Sequence, residues 1–571
     1  MKPGLPQRLR ASFASPAAAR ATLLAARTGA RDALLAARAV RSSGLLTTLQ
    51  PRALARFALD SVGGARGPSL VLRFHAFNAP DRLALVDDGT RLSYADLEAL
   101  VNRTAHGLRA LGVARGSRVA VMMGNCHEYL VVQWAVTRLG AVLVQLGYRL
   151  KPPEIAFLLE QSRPSCLIVA AEYAETALAA CRTAGQLRVE DLIVVGGAPP
   201  AGTRAFADVI ARGNASAPPP VDAREGAAVM VFTSGTTGKP KGASRSLDRS
   251  LHGAVADFIH KVGLRTDDRH LCVCPLYHSA PPALVMLTYG LGGTCVLQRH
   301  FDPEATLALI ERERISSTFM VPTMLGRIAA LPPATIARYD TSSLRRVITG
   351  AAPLPSETAR RFEAAFGPVL YNFYGATETG MVTLALPGEH TARPGTIGRA
   401  LAGNDIRLLD DDGRPVAPGE PGELYVRSSM LVAGYHQDDA ATRSATRDGY
   451  FSVGDVATVD RDGYYFLASR KSDMVISGGV NIYPQEIEQR LHQHPAVLEA
   501  AVVGVPDPDW GESLVAFIVP LDGAAPSAAE LIAFCKETLA DFKCPRRVEL
   551  VFSLPRTPTG KVIKRELSGR G

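Results

Sequence analysis

Residues 229–242 read Val-Met-Val-Phe-Thr-Ser-Gly-Thr-Thr-Gly-Lys-Pro-Lys-Gly, an apolar run that enters a glycine- and hydroxyl-rich segment and leaves it through two lysines. A polyphosphate needs such a donor set. Gly235 and Gly238 let backbone N–H groups approach an oxyanion closely, the hydroxyls of Thr233, Ser234, Thr236 and Thr237 donate hydrogen bonds, and Lys239 and Lys241 neutralise charge. This is not a Walker A loop: its glycines are three apart, and Pro240 follows Lys239 where that motif has Ser or Thr. Hydrolase and dehydrogenase chemistry are disfavoured, because the chain has neither G-x-S-x-G nor G-x-G-x-x-G.

Other reactive groups are spread over the rest of the chain. Glu378 ends the run Asn372-Phe373-Tyr374-Gly375-Ala376-Thr377-Glu378, Asp455 follows Gly454, His278 lies in Pro275-Leu276-Tyr277-His278-Ser279, and Lys561 follows Pro558-Thr559-Gly560. A carboxylate can hold a cation or accept hydrogen bonds, and a lysine can neutralise an anion. Each also has a plain reading on its own. Asp455 could be a turn residue, His278 a buried structural histidine, and Lys561 a solvated lysine near a chain end.

The elements that must position these groups follow from the hydrophobic pattern. Helical stretches such as 95–111 and 129–139 alternate with short apolar runs at 118–123 and 141–144, which argues for α/β layers with largely parallel sheets. Beyond Asp405 the chain turns to short strands and turns, including the hairpin signal Asp462-Gly463, as expected of a small distorted β-barrel. The polar joint 469–473 precedes a small α+β unit with helices expected at 484–493 and 528–540 and strands at 500–505 and 514–519. Three parts result: a basic extension (1–70), a large domain (71–470) and a small domain (471–571).

Charge and cysteine usage narrow the function classes. The chain carries 63 basic and 55 acidic residues, but residues 1–70 hold eleven Lys/Arg against two acids, so the body is near neutral. That localisation removes the case for a nucleic-acid partner. No run approaches the roughly 18 apolar residues of a membrane span. The eight cysteines are scattered without metal spacing and suit a reducing cytoplasm. Cys272 and Cys274, two apart, are expected to share one strand face as a structural pair.

The phosphate-loop sequence resembles the signature of the adenylate-forming superfamily, which includes acyl-CoA synthetases, aryl-CoA ligases, luciferases and peptide-synthetase adenylation domains. Further signatures follow in family order over residues 75–570: Leu92-Ser93-Tyr94, Gly350-Ala351-Ala352-Pro353, Tyr374-Gly375-Ala376-Thr377-Glu378, Gly422–Arg427, Gly454-Asp455, Arg470 with Ser477–Pro484, and Pro558–Lys561. The resemblance implies a reaction with ATP, Mg2+ and coenzyme A in which a carboxylic acid becomes acyl-AMP and then a thioester. It assigns Lys561 to the carboxylate and α-phosphate, Thr377 to the α-phosphate, and Glu378 to magnesium. Thr233–Gly238 and Lys241 go to the phosphates; Gly350, Ala351, Ala352, Asn372, Phe373, Tyr374 and Gly375 go to the nucleotide, with Tyr374 beside adenine. Asp455 and Arg470 fall to the ribose, Gly478 and Gly479 to the face used in the thiol step, His278 to an acyl-site gate and Ser472 to a domain hinge. One departure is Val453, where relatives often have Thr before the Gly-Asp pair.

The apolar, Met-containing runs 283–287 and 319–324 favour a medium- or long-chain fatty acid. An aryl or steroid acid, or transfer to a carrier-protein thiol, stays open, as does a nucleotide sensor that kept the fold without catalysis. The extension repeats Leu-Leu-Ala-Ala-Arg at an eleven-residue spacing, which puts Arg20, Arg27, Arg31 and Arg38 on one helical stripe that Gly29 should interrupt. A helix lying at the inner membrane face, an inert or self-packing tail, and an organellar leader are the three readings.

Overall fold

A computed structural model describes residues 16–571 except 63–68, 220–227, 235–239, 247–252, 433, 436–437, 478–479, 509, 558–560 and 570–571. The large domain is built on two sheets. One has seven strands, ordered Arg204–Ala205, Leu192–Val195, Cys166–Ala170, Arg118–Met122, Val142–Gln145, Ala228–Ser234 and Pro240–Ser246, all parallel except the last. Apolar β-branched runs covered by helices on both faces give this arrangement. Helix Tyr94–Ala110 begins at a capping box in which Ser93 and Asp96 exchange hydrogen bonds, and it packs beside the fully buried Trp134 and Tyr129.

The second sheet has a parallel centre, Leu83–Asp87, Thr294–Leu297, Arg269–Cys272, Ser317–Met320, Arg346–Thr349 and Leu370–Ala376. It then turns antiparallel through Gly380–Ala385 and Thr396–Ala400 and continues into Tyr465–Arg470, Tyr450–Val459, Gly422–Arg427 and Asp405–Leu409. The strands of the expected barrel are thus an antiparallel continuation of this sheet. They enclose their own core of Tyr374, Val382, Ile397, Leu408, Leu424, Val426 and Ala457.

Residues from Val475 onward form a separate five-stranded sheet with two cores of their own. Its helices span Pro484–His492 and Ala528–Lys536. The second ends four residues before the expected Ala540, and the chain turns through a 3₁₀ segment at Asp541–Lys543.

The extension differs from its expectation in one respect. Helix Pro16–Ser42 runs through Gly29 without a break. A single glycine costs a helix only about 1 kcal/mol against alanine, and the flanking Ala, Leu and Arg residues are strong helix formers. Packing adds to this: Leu35 and Ala39 are buried in the same core as Ala254, Phe258, Ile259 and Val262 of helix Gly253–Val262. The helices fit so closely that a Cβ at Gly253 would meet Asp32 Oδ1 at 2.3 Å. None of the three readings includes this packing of the segment's inner face against the body.

The cysteine pair also departs from expectation. The strand stops at Cys272, so the two thiols enter different cores, Cys272 beside Tyr289 and Cys295, and Cys274 beside Met324 at 3.6 Å. All eight cysteines are free, and burial pushes the Cys274 thiol up to about 12, as expected of structural residues.

Candidate active site

The strand pair Tyr450–Val459 and Tyr465–Arg470 sets Asp455 directly opposite Arg470. Arg470 Nε lies 3.3 Å from Asp455 Oδ1, and the Tyr374 hydroxyl donates to Asp455 Oδ2 at 2.7 Å. The carboxylate is 8% exposed, with a partner on each oxygen. Desolvation first, then the adjacent Asp455 charge, pushes the Tyr374 phenol well above its ordinary value, so it stays a donor. The ring expected beside adenine is therefore tied to the carboxylate expected at the ribose. Val453 provides no hydroxyl, but Ser452 does: its Oγ accepts from Gly454 N at 3.0 Å and donates to Glu423 Oε1 at 2.7 Å.

Strand Leu370–Ala376 returns through a tight turn into Gly380–Ala385, and this turn carries Thr377 and Glu378. Gly375 is required there, because a Cβ would stand 2.0 Å from Gly380 O. Thr379 Oγ1 accepts from Ala376 N at 3.0 Å and holds the turn closed. Glu378 is buried at 6% exposure, and the Tyr435 hydroxyl hydrogen-bonds to it. Tyr435, which bridges to Ala243 just past the phosphate loop, is a site residue that the motifs do not reveal. Its neighbourhood, Met430–Tyr435, carries no charge and no reactive spacing.

The segment Gly350–Ala352 sits against Phe373, where a Cβ on Gly350 would meet Phe373 O at 2.6 Å. Ala351 adopts φ +67°, a left-handed conformation that a residue with a Cβ seldom takes. Strain of this kind collects at functional sites. Asn372 and Phe373 face inward: Asn372 Nδ2 donates to Thr396 O at 3.3 Å, and the Phe373 ring packs on Phe258 and Phe319.

Thr377 Oγ1 lies 3.2 Å from Ser279 Oγ, which joins the Glu378 turn to the segment carrying His278. The His278 ring stands 4.1 Å from that of Tyr277, which in turn meets Tyr148 edge-on. Thr233 and Ser234 pair with Lys241 and Pro240 across a hairpin whose tip, Gly235–Lys239, lies outside the described residues. Gly478 and Gly479 also lie outside them.

Lys561 comes from the small domain. Its hairpin is closed by Thr557 N donating to Lys561 O at 2.8 Å and Lys561 N donating to Thr557 Oγ1 at 3.2 Å. Arg556 anchors it to Glu499 at 2.9 Å. Desolvation, and then the Arg470 charge, holds the Lys561 ammonium below the ordinary lysine range, against Asp455 and Glu378, which favour the cation. A cation from one domain therefore lies within electrostatic reach of three charged groups of the other. Between them, Ser472 occupies the middle of the 3₁₀ turn Lys471–Asp473, and Lys471 Nζ reaches back to Asp411 Oδ1 at 2.8 Å and Glu423 Oε2 at 3.2 Å.

Residues 72–436 match the model of the AMP-binding enzyme family, and 486–561 match the AMP-binding enzyme C-terminal domain. The chain belongs to the AMP-binding enzyme family. It is 40% identical over 495 residues to a feruloyl-CoA synthase of an Amycolatopsis species, covering 86% of this chain and 96% of that one. It is 33% identical over 502 residues to a long-chain-fatty-acid–CoA ligase of Mycobacterium tuberculosis, covering 86% and 96%. A crystal structure of the anthranilate CoA ligase AuaEII in complex with anthranoyl-AMP superimposes with a TM-score of 0.81 at 28% identity, covering 89% of this chain and 97% of that one. As an AMP-binding enzyme the chain is an AMP-forming acid–CoA ligase that uses ATP, Mg2+ and coenzyme A. No helix among the described residues is long and apolar enough to cross a membrane.

Proposed function

We propose that the groups around Lys561 carry both halves of this reaction on a hydrophobic acid, a medium- or long-chain fatty acid first. In the first half a carboxylate oxygen attacks the α-phosphorus of ATP, the bond to the bridging oxygen breaks, and pyrophosphate leaves. In the second, the thiol sulfur of coenzyme A attacks the acyl carbon and AMP departs. The observation that carries this reading is the delivery of Lys561 to Glu378, Asp455 and Arg470. Two anions must meet in the first step, and a cation kept out of bulk water stabilises their meeting far better than a solvated one.

The remaining roles are supported by which groups stand together. Asp455, with Arg470 and Tyr374 on its oxygens, would receive the ribose hydroxyls, and Gly350–Ala352 would take the base. Thr377 donates to the α-phosphate, and the hairpin bearing Thr233, Ser234 and Lys241 takes the outer phosphates. The fit to magnesium rests on donor chemistry, since Glu378 is a buried hard-oxygen donor steadied by a tyrosine hydroxyl. Glu378 would hold the ion, which when bound neutralises phosphate charge. His278, beside the Tyr277 ring, closes the acid side, and the turn at Ser472 is where the small domain rotates before thioester formation.

The apolar, Met-containing runs 283–287 and 319–324 support the fatty acid. An aryl acid is the second reading, supported by the names of the feruloyl-CoA synthase and the anthranilate ligase. AMP release with coenzyme A and dodecanoate, palmitate, ferulate or anthranilate separates them. The fatty-acid reading requires the highest kcat/KM with one of the first two; a higher value with ferulate or anthranilate replaces it by the second.

A further inference from the structure

A helix on a protein surface ordinarily turns its apolar residues inward and its charges out. Pro51–Val62 instead leaves most of its apolar residues facing out. Ala53 is buried against the body, and Asp60 is turned inward, where it takes Arg73 Nε at 3.0 Å and Arg56 Nε at 3.1 Å. Leu54 and Leu59 are 46% and 69% exposed, and Ala55 and Ala58 are exposed between them. At 3.6 residues per turn these four share an arc of about 140°. Phe57, 40% exposed, meets the edge of Phe74, and Phe77, 44% exposed, lies 5.0 Å under the Arg56 guanidinium, so the apolar surface continues onto helix Ser69–Asn78.

The exposed charges of the extension itself have one sign. Arg31, Arg38, Arg41, Arg52 and Arg56 are exposed, while the two acids between residues 29 and 61, Asp32 and Asp60, are both partly buried in the fold. Exposed leucine and phenylalanine flanked by arginine is the composition of a helix that lies in a lipid interface. A second copy of this chain would oppose arginine to arginine, whereas an anionic bilayer meets them with opposite charge. The helix also lies ahead of residue 72, where the family match begins.

We propose that the outward face of Pro51–Val62, with Phe77, docks the enzyme on an anionic phospholipid bilayer. Leu54 and Leu59 enter the interface, and the arginines meet the headgroups. The proposal rests on the surface of the extension and is independent of the reading of the active site.

The test is co-sedimentation of the full chain with vesicles of phosphatidylcholine and phosphatidylglycerol, and with phosphatidylcholine alone. The wild type is expected to sediment with the anionic vesicles, less so at high salt, and L54E/L59E to partition at least about tenfold more weakly. F552E, which alters a fully exposed phenylalanine of the small domain, is expected to sediment like the wild type. The proposal is overturned if the wild type stays in solution, if L54E/L59E binds equally, or if F552E loses as much. It is also overturned if the double variant only converts a dimer to a monomer in sedimentation velocity. AMP release without lipid, expected to be unchanged in L54E/L59E, reports on the reaction and leaves the vesicle result to stand or fall alone.

Discussion

Asp455 and Arg470 face each other across one antiparallel strand pair, 3.3 Å apart, with the second oxygen of Asp455 held by Tyr374 at 2.7 Å. Neither carboxylate oxygen can drift, so the acceptor pair is set before a ligand arrives. Asp455→Asn keeps the shape and removes the charge-assisted pair, which is typically worth about 1.5–3 kcal/mol. The expected result is a KM for ATP raised roughly tenfold to a hundredfold, with a melting temperature lowered by the lost pair to Arg470. Steady-state kinetics at saturating acid check it, and an unaltered KM would remove Asp455 from the nucleotide.

Lys471 ties the interdomain turn to Asp411 and Glu423. Its pKa is raised, first by the hydrogen bond to Asp411, which marks a made but half-exposed contact. Such a pair contributes about 1 kcal/mol or less to stability. Lys471→Ala should therefore melt normally while loosening the arrangement that presents Lys561. ATP–pyrophosphate exchange is expected to fall by a factor of a few, with thioester formation from supplied acyl-AMP unchanged or faster. Equal loss in both assays would mean that the clamp plays no part in the alternation.

Burial lowers the Lys561 pKa, and the nearby Arg470 lowers it further. A lysine with a depressed pKa sheds its proton at lower pH than a free one, so the acyl-AMP half-reaction should decline on the alkaline side before the ordinary lysine range of about 10.4 is reached. Lys561→Arg keeps the cation at every accessible pH and should remove that decline, at whatever absolute rate its longer fork allows. Pyrophosphate exchange from pH 7 to 10 tests this. An alkaline limb shared by both proteins would assign the titration to another group.

Stability should carry its own pH signature. His270 is buried, with Nδ1 3.0 Å from Ser317 Oγ, and desolvation lowers its pKa to about 4. Between pH 6.5 and about 4 the unfolded chain binds this proton and the folded chain does not, so stability falls as pH drops through that window. The loss from this one group is about 2 kcal/mol at pH 5. His270→Asn should flatten the dependence of melting temperature on pH between 7 and 5, and an unchanged slope would contradict it.

What could be read from residues alone divides along physical lines. The Thr233–Lys241 segment was legible by itself, because a dense run of glycine, hydroxyl and lysine donors is a short pattern, whereas Thr377-Glu378 and Gly454-Asp455, each with a plain reading alone, stood out only through the family resemblance. Tyr435 was not, since it is brought to Glu378 by long-range contacts, a backbone bridge to Ala243 nearly two hundred residues earlier and the hydrogen bond from Val432 N to Glu378 O at 2.9 Å. Gly29 read as a break, because local propensity carries no record of the helix Gly253–Val262 that packs against its neighbours. The outward apolar face of Pro51–Val62 was likewise hidden, because periodicity reports two faces and only the Asp60–Arg73 contact shows which one points in.

The central claim is that Lys561 completes a site that makes acyl-AMP and passes the acyl group to coenzyme A. Its most direct measurement counts AMP and acyl-CoA formed from ATP, Mg2+, coenzyme A and a hydrophobic acid, for the wild type and Lys561→Ala. One AMP per thioester is expected in the wild type and a loss of roughly 10²–10³-fold in the variant, with thioester formation from supplied acyl-AMP largely retained. A variant that forms acyl-AMP at the wild-type rate, or a wild type that releases no AMP with any acid, would contradict it.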